Sequence, residues 1–505
     1  MKNKLIPSLS LIALLALIGC AQRDGDSRVV SVIDLAPTFK KTEGVRFTAY
    51  AGPTVSHWTS EGSCPNTITD RNMKMLADAG FNKILALYEG GGAASGSDTF
   101  ELIKNRSKIA ERDAMMMLEY AEKYNIKYII RDWSFYGLVK NYTYGYNPNI
   151  LTDEDYKQVI DDMFTSDNPY IKSKAFGGNF THDEPTYEEL DRIAVQVKYY
   201  YEAMDRLGIK GADAVVNLYP CHVSTAGLSK NGDKTYEDYV DHYFDLITPQ
   251  TGFACFDFYP YLSDPYDGSY MRPMHLLNLN MFAERCKEKN VELRGFIQSV
   301  GNWTGMRPIT SAGDFRLEIY SQMAFGSHEF IYYEYANSYE QGTDDFALLN
   351  CKDYDEEGNP GVYNYTYDLA KTVNNEVHAF EDAYLAYKWD GIMFKNAKDY
   401  ARNYAFTFID DEAIKSHPRV SFKECTEDAI MGTFKNKENG DDAFMLVNYV
   451  DPYFQKNNEV TLHFNDARGL LMYRMGQRMV VDLPESGDYT FVLYPGEGRF
   501  IIPIK

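Results

Sequence analysis

Positive charge is in short supply in this chain. Its 505 residues carry 51 Lys and Arg against 73 Asp and Glu, a formal charge of −22. So anionic a surface repels nucleic acid and anionic lipid, and excludes both as electrostatic partners. Cysteine is sparse: Cys20, Cys64, Cys221, Cys255, Cys286, Cys351 and Cys425 are widely spaced, with no CxxC. That pattern excludes zinc ribbons and dithiol redox motifs. The later cysteines read as small buried hydrophobes, and no bridge is expected. No second histidine stands at helical or strand spacing from His182, so neither a catalytic metal nor a cofactor is expected. No repeat of solenoid period recurs. One long apolar run exists, at residues 5–18, and it is too short to span a bilayer.

That run follows Met1-Lys2-Asn3-Lys4 and precedes Gly19-Cys20, the grammar of a secretory signal. Leu17-Ile18-Gly19-Cys20 resembles the bacterial lipobox, which implies removal of residues 1–19 and lipidation of Cys20. Ala21 after the cysteine resembles lipoproteins sorted to the outer membrane, facing the periplasm or the cell surface. The lipid anchor is then the expected membrane contact. Residues 20–44 read as a polar tether and lead-in segment. Asp24 and Asp26 within it resemble the acidic surface-export signal of lipoproteins from glycan-degrading gut bacteria.

A chain of this length needs more than one core. Apolar runs at residues 46–51, 82–88, 126–132, 176–185, 212–219, 253–259, 292–299 and 328–335 predict strands. Helical periodicity lies between them. Thr186 and Glu189 form a T-x-x-E capping box and Gly208 closes the helix that they open. Strand and helix alternating eight times predicts a (β/α)₈ TIM barrel, here over residues 45–389. From about residue 390 the pattern changes to short alternating strands between Asn, Asp and Gly turns, predicting a small C-terminal all-β sandwich over 390–505. No exposed aromatic cluster stands out in the sandwich, so a bracing role is expected of it.

The chain is organised around FGGNFTHDEP at residues 176–185. A buried strand ends there in two carboxylates, at the barrel's C-terminal mouth where chemistry is done. Simple alternation puts His182 and Glu184 on one face and Asp183 on the other. Pro185 stops the strand and biases Glu184 away from helical geometry. Other strand ends bring Tyr50, Asp132 with Trp133, Asn217 and Tyr219, Asp257 and Tyr259, Gln298 and Trp303, and Tyr333 with Glu334. As a set these resemble a sugar pocket: carboxylates for chemistry, amides for hydroxyls and rings for stacking.

HDEP on strand four, DFYPY on strand six, YYEYAN on strand eight and the closing sandwich resemble a glycoside hydrolase of the clan A type. More loosely they resemble barrel lipoproteins of gut-bacterial polysaccharide-utilisation loci. The resemblance implies a carbohydrate substrate and makes Glu184 the general acid/base, with Asp183 where the clan usually has Asn. The clan's nucleophilic Glu ends strand seven, where this chain has Gln298, a departure from the retaining pattern. The nearest replacement is Glu334 on the adjacent strand, with Asp257 as a competing base. A barrel that lost its nucleophile and binds glycans without cleaving them is the alternative. Sugar, linkage and oligomeric state are not written in these residues.

Overall fold

A computed structural model describes residues 31–53, 65–85, 111–132, 135, 138, 151–266, 268–301, 305–337, 347–397 and 404–505. Eight parallel strands form the first unit: Arg46–Tyr50, Lys83–Leu85, Lys127–Ile130, Phe176–Asp183, Asp213–Asn217, Phe253–Phe256, Glu292–Gln298 and Ser327–Tyr333. Strand eight lies between one and seven, and the sheet runs from strand five to strand six at its ends. Those ends meet. Leu218 N donates to Cys255 O at 3.1 Å and Asp257 N to Leu218 O at 3.2 Å, a parallel bridge that closes the ring. The eight predicted strands and the barrel are therefore present, with helices outside and both strand faces buried, as near-continuous apolar runs require.

Local signals placed the helices. Helix Tyr187–Leu207 starts where Glu189 Oε2 accepts from the Thr186 N–H at 2.7 Å. It ends at Gly208 with φ +71°. The two glycines of strand four serve close packing. Gly178 has φ +126°, and a Cβ there would fall on the Asp213 backbone of strand five.

The barrel interior is layered. Its closed end holds an ionic layer in which Glu329 Oε2 lies 2.9 Å from Arg46 Nε, 3.0 Å from Lys83 Nζ and 3.3 Å from Arg294 Nε. Asp213 completes it, 3.0 Å from Lys83 and 2.7 Å from Arg294. Above lies an apolar layer of Leu85, Ile129, Phe180, Val215, Cys255, Phe296 and Ile331. Tyr50, Tyr259 and Tyr333 cap it at the mouth.

The second unit is the all-β sandwich. Six antiparallel strands, from Tyr387–Lys395 to Gly498–Ile504, face a sheet of Val420–Cys425, Asn458–Phe464 and Asp488–Leu493. Phe444, Leu446, Val460, Leu462, Leu470, Phe491 and Ile501 fill the space between them. Helix Ala312–Ala324, which follows strand seven, is buried from Gly313 to Ala324 except at Arg316. A helix buried all round needs a partner on each side, and this one has the barrel on one and the sandwich on the other. Gly432 permits the contact, since a Cβ there would meet the Ala324 carbonyl. The five described cysteines after Cys64 are free.

Candidate active site at the barrel mouth

Strand four departs from simple alternation. Phe180 pairs with Val215, but His182 pairs with Val216 and Asp183 with Asn217, so a β-bulge falls at Thr181. One extra residue reverses the parity of everything after it. Asp183 therefore faces the mouth with Asn217: its Oδ1 accepts from Asn217 Nδ2 at 3.1 Å, and its Oδ2 lies 3.4 Å from the Tyr50 hydroxyl. His182, expected in the pocket, is 1% exposed, with Nε2 3.8 Å from Glu189 Oε1 at the start of the following helix. The bulge has turned it out of the mouth.

Glu184 still reaches the mouth, by another route. Its φ is +49°, the left-handed region that residues with a Cβ rarely adopt. Its N–H donates to Asn217 O at 2.9 Å, which holds the turn against strand five. The strand ends at Asp183, just before Pro185, and Glu184 stands in the left-handed region instead of the right-handed helical one. Backbone in so sparsely populated a conformation recurs at functional sites.

Asp257, on the chain just after strand six, meets Glu184 across the mouth. Burial pushes its carboxyl well above the usual carboxylate range. The negative charges of Glu184 and Asp183, and a hydrogen bond with the Glu184 carboxyl, push it further. Asp257 is buried and Glu184 is half-buried beside it, and like charges in contact disfavour each other, so the pair favours sharing a proton over ionising twice. The same charges, after burial, raise the Tyr219 and Tyr259 hydroxyls.

Aromatic rings line the remainder. Tyr333 lies 5.0 Å from Tyr259 and 5.4 Å from Tyr50, centroid to centroid. Tyr219, Tyr259 and Tyr333 are half-exposed, while Tyr50 is buried. Other tyrosines do different work: Tyr239 OH donates to Pro185 O and Tyr236 OH to Tyr219 O, each at 2.7 Å, tying the outer helix Tyr236–Leu246 to the strand ends. Arg131 is not among the pocket residues expected from the sequence. Its guanidinium lies over the Phe180 ring at 5.1 Å, and Nη1 is 3.4 Å from the Tyr50 hydroxyl. Inward-facing Ile129 two residues earlier was the available signal. Alternation that places Arg131 inward places Asp132 outward, fully buried, where its charge acts on the Tyr170 hydroxyl. Asp132 is thus corrected from pocket to outer layer.

Gln298 does end strand seven, and its amide is used up. Nε2 donates to the carbonyls of Val300 and Arg307 at 3.0 and 2.7 Å, and Oε1 accepts from Tyr261 N at 3.1 Å. It is fully buried, which makes it a scaffold for two loops and leaves no donor for a sugar. Glu334 follows strand eight, 4% exposed, after a cis Tyr333–Glu334 peptide bond. Its carbonyl accepts from Ser299 Oγ at 3.0 Å. Trp133, Trp303 and Cys20 lie outside the described residues.

No protein-family model matches the chain, and no curated protein sequence matches it. Among solved structures, it is similar to a β-galactosidase from Bacillus circulans sp. alkalophilus, with a TM-score of 0.50 at 9% identity over 92% of this chain and 100% of that one. It is also similar to a GH51 arabinofuranosidase from Xanthomonas axonopodis pv. citri, with a TM-score of 0.43 at 9% identity over 91% and 96% of the two chains. A GH30 endoxylanase from Clostridium papyrosolvens C71 gives a TM-score of 0.40 at 10% identity over 93% and 98%. At such identities the likeness to these glycosidases is one of fold.

Proposed function

We propose that this protein is a glycoside hydrolase of the clan A type, with Glu184 as general acid/base. The observation that carries the reading is the Glu184–Asp257 carboxyl pair, with the desolvated Asp257 hydrogen-bonded to the half-buried Glu184 at the mouth beside Asp183. A pair that favours sharing one proton can supply what a glycosidic oxygen needs as its bond to the anomeric carbon breaks. Asp257 is not the opposing carboxylate. Acid and opposing carboxylate stand about 5–5.5 Å apart in retaining enzymes and about 6.5–9.5 Å in inverting ones, whereas Asp257 and Glu184 are in contact. Asp257 instead keeps the proton on the pair.

The opposing carboxylate in this reading is Glu334, one strand beyond Gln298. In the retaining version its oxygen bonds to the anomeric carbon as the leaving group departs with the Glu184 proton. Water then breaks that ester, giving a proton back to Glu184. Tyr259 and Tyr333 offer stacking faces to the sugar. Lipidation at Cys20, an outer-membrane address and a barrel–sandwich boundary near residue 389 belong to the same proposal.

One observation favours a second reading, a barrel that binds glycans without cleaving them. Gln298 is locked in place as an uncharged scaffold where the clan carries its nucleophile. The two readings are separated by assaying the purified protein against aryl-glycosides and polysaccharides. Polysaccharide hydrolysis lost in Glu184→Ala supports the first, and binding without hydrolysis supports the second. Where hydrolysis is found, Glu334→Ala with added azide is expected to regain turnover and yield a glycosyl azide. Undiminished turnover of Glu334→Ala without azide would remove Glu334 from the mechanism.

A further inference from the structure

Outside the mouth, three aromatic rings share one patch of surface. Tyr270 belongs to the hairpin that follows strand six, while Tyr453 and Phe454 belong to the short turn Pro452–Phe454 of the sandwich. Tyr270 lies 4.5 Å from Tyr453 and 6.4 Å from Phe454, and the latter two are 5.6 Å apart. Tyr453 is 49% and Phe454 42% exposed. Single exposed rings are ordinary, but contiguous ones rimmed by polar groups mark binding surfaces.

One buried carboxylate ties the patch together. Asp451 Oδ1 accepts from Tyr453 N at 3.0 Å, and Oδ2 from Tyr270 N at 2.8 Å and Ser269 Oγ at 3.4 Å. Asp451 is in turn held by Arg307 Nη2 at 3.1 Å, and Arg307 Nη1 lies 3.1 Å from Asp314. Segments of the barrel and the sandwich that bear the rings are thereby tied to one another through their backbones. The hairpin is also tied to the mouth, since Arg272 Nε donates to Tyr259 O at 3.1 Å.

We propose that Tyr270, Tyr453 and Phe454 form a second carbohydrate-binding site, on which the faces of sugar rings stack outside the barrel mouth. The inference rests on the glycan reading above. Size argues for a glycan over a protein partner: three partly exposed rings of about 150–250 Å² each offer far less than the roughly 800 Å² per partner that a stable protein interface buries. Charge argues for a neutral glycan, because Arg307 beneath the rings is already neutralised by Asp314 and Asp451.

The test is affinity electrophoresis of the full chain in gels containing β-glucan, xylan, galactan or mannan, comparing the parent with Tyr453→Ala/Phe454→Ala. Both rings stand in water, so the variant should melt with the parent. At least one polysaccharide is expected to retard the parent, and the variant should bind it roughly ten-fold more weakly. Turnover of aryl-glycosides should be unchanged. Equal retardation of parent and variant, or no retardation in any gel, overturns the proposal. So does a variant whose gel mobility matches the parent but whose sedimentation shifts from dimer to monomer, which would make the patch a self-interface. If the parent hydrolyses nothing yet is retarded, and the variant is not, the platform stands and the glycosidase reading falls.

Discussion

Replacing Glu329 by Gln removes a carboxylate that faces three cations at the closed end of the barrel while keeping its shape. Glu329 is 1% exposed, contacts Arg46, Lys83 and Arg294, and accepts from Thr48 Oγ1 at 2.6 Å. Burial alone would raise its carboxyl. The neighbouring cations win, led by Lys83 and Arg294, and hold it at about 2 against an ordinary 4.5. At about 1.4 kcal/mol per pH unit, that gap is worth about 3 kcal/mol of stability at neutral pH. Removing one partner of a buried ion pair costs about 3–5 kcal/mol by an independent route. In a chain this long each kcal/mol moves the melting temperature by about 1 °C, so a drop on the order of 3–5 °C is expected. The folded-state value is the lower one. The contribution is therefore whole above pH 4.5 and is lost as pH falls towards 2. Melting curves of parent and Glu329→Gln, followed by circular dichroism from pH 7 to pH 2, should differ most at neutrality and converge in acid. A variant within about 1 °C of the parent at pH 7, or a constant offset across that range, would refute the ionic-layer argument.

Asp257→Asn takes away the carboxyl with which Glu184 shares a proton, so the basic limb of the kcat/KM profile should move to lower pH by about one unit or more. Because the Asp257 carboxyl is raised on folding, the parent loses stability as pH rises above the ordinary 3.8, and Asp257→Asn should lack that slope in melts between pH 4 and 8. Gln298→Ala strips partners from two buried carbonyls and one N–H. At about 1–3 kcal/mol each, a loss of about 3 kcal/mol or more is expected in urea unfolding, and an unmoved midpoint would return Gln298 to the pocket.

Local signals in the sequence carried the barrel a long way. Apolar runs located the strands, and Thr186, Glu189 and Gly208 bounded helix Tyr187–Leu207 because caps depend on near neighbours. What escaped depends on distant ones. The bulge at Thr181 leaves no residue signature, yet it decides that Asp183 faces the mouth and His182 does not. The ionic layer joins residues as far apart as Arg46 and Glu329, and none of them reads as buried until the ring closes. The proton-sharing pair joins strands four and six, which lie on either side of strand five. Expecting no exposed aromatic cluster on the sandwich failed for the same reason: Tyr453 and Phe454 gain Tyr270 from a hairpin about 180 residues earlier. Gln298 was legible as a departure, but its role as a loop scaffold required its partners.

Whether Glu184 delivers the proton is decided by the leaving-group dependence of Glu184→Gln. General acid catalysis supplies about 10² to 10⁴ in rate, and its loss is felt where the leaving oxygen is basic. Turnover of Glu184→Gln should therefore fall by that factor on natural linkages and alkyl glycosides. It should fall far less on dinitrophenyl glycosides, whose leaving group needs no proton. Equal losses on both kinds of substrate, or no loss on either, would contradict the account.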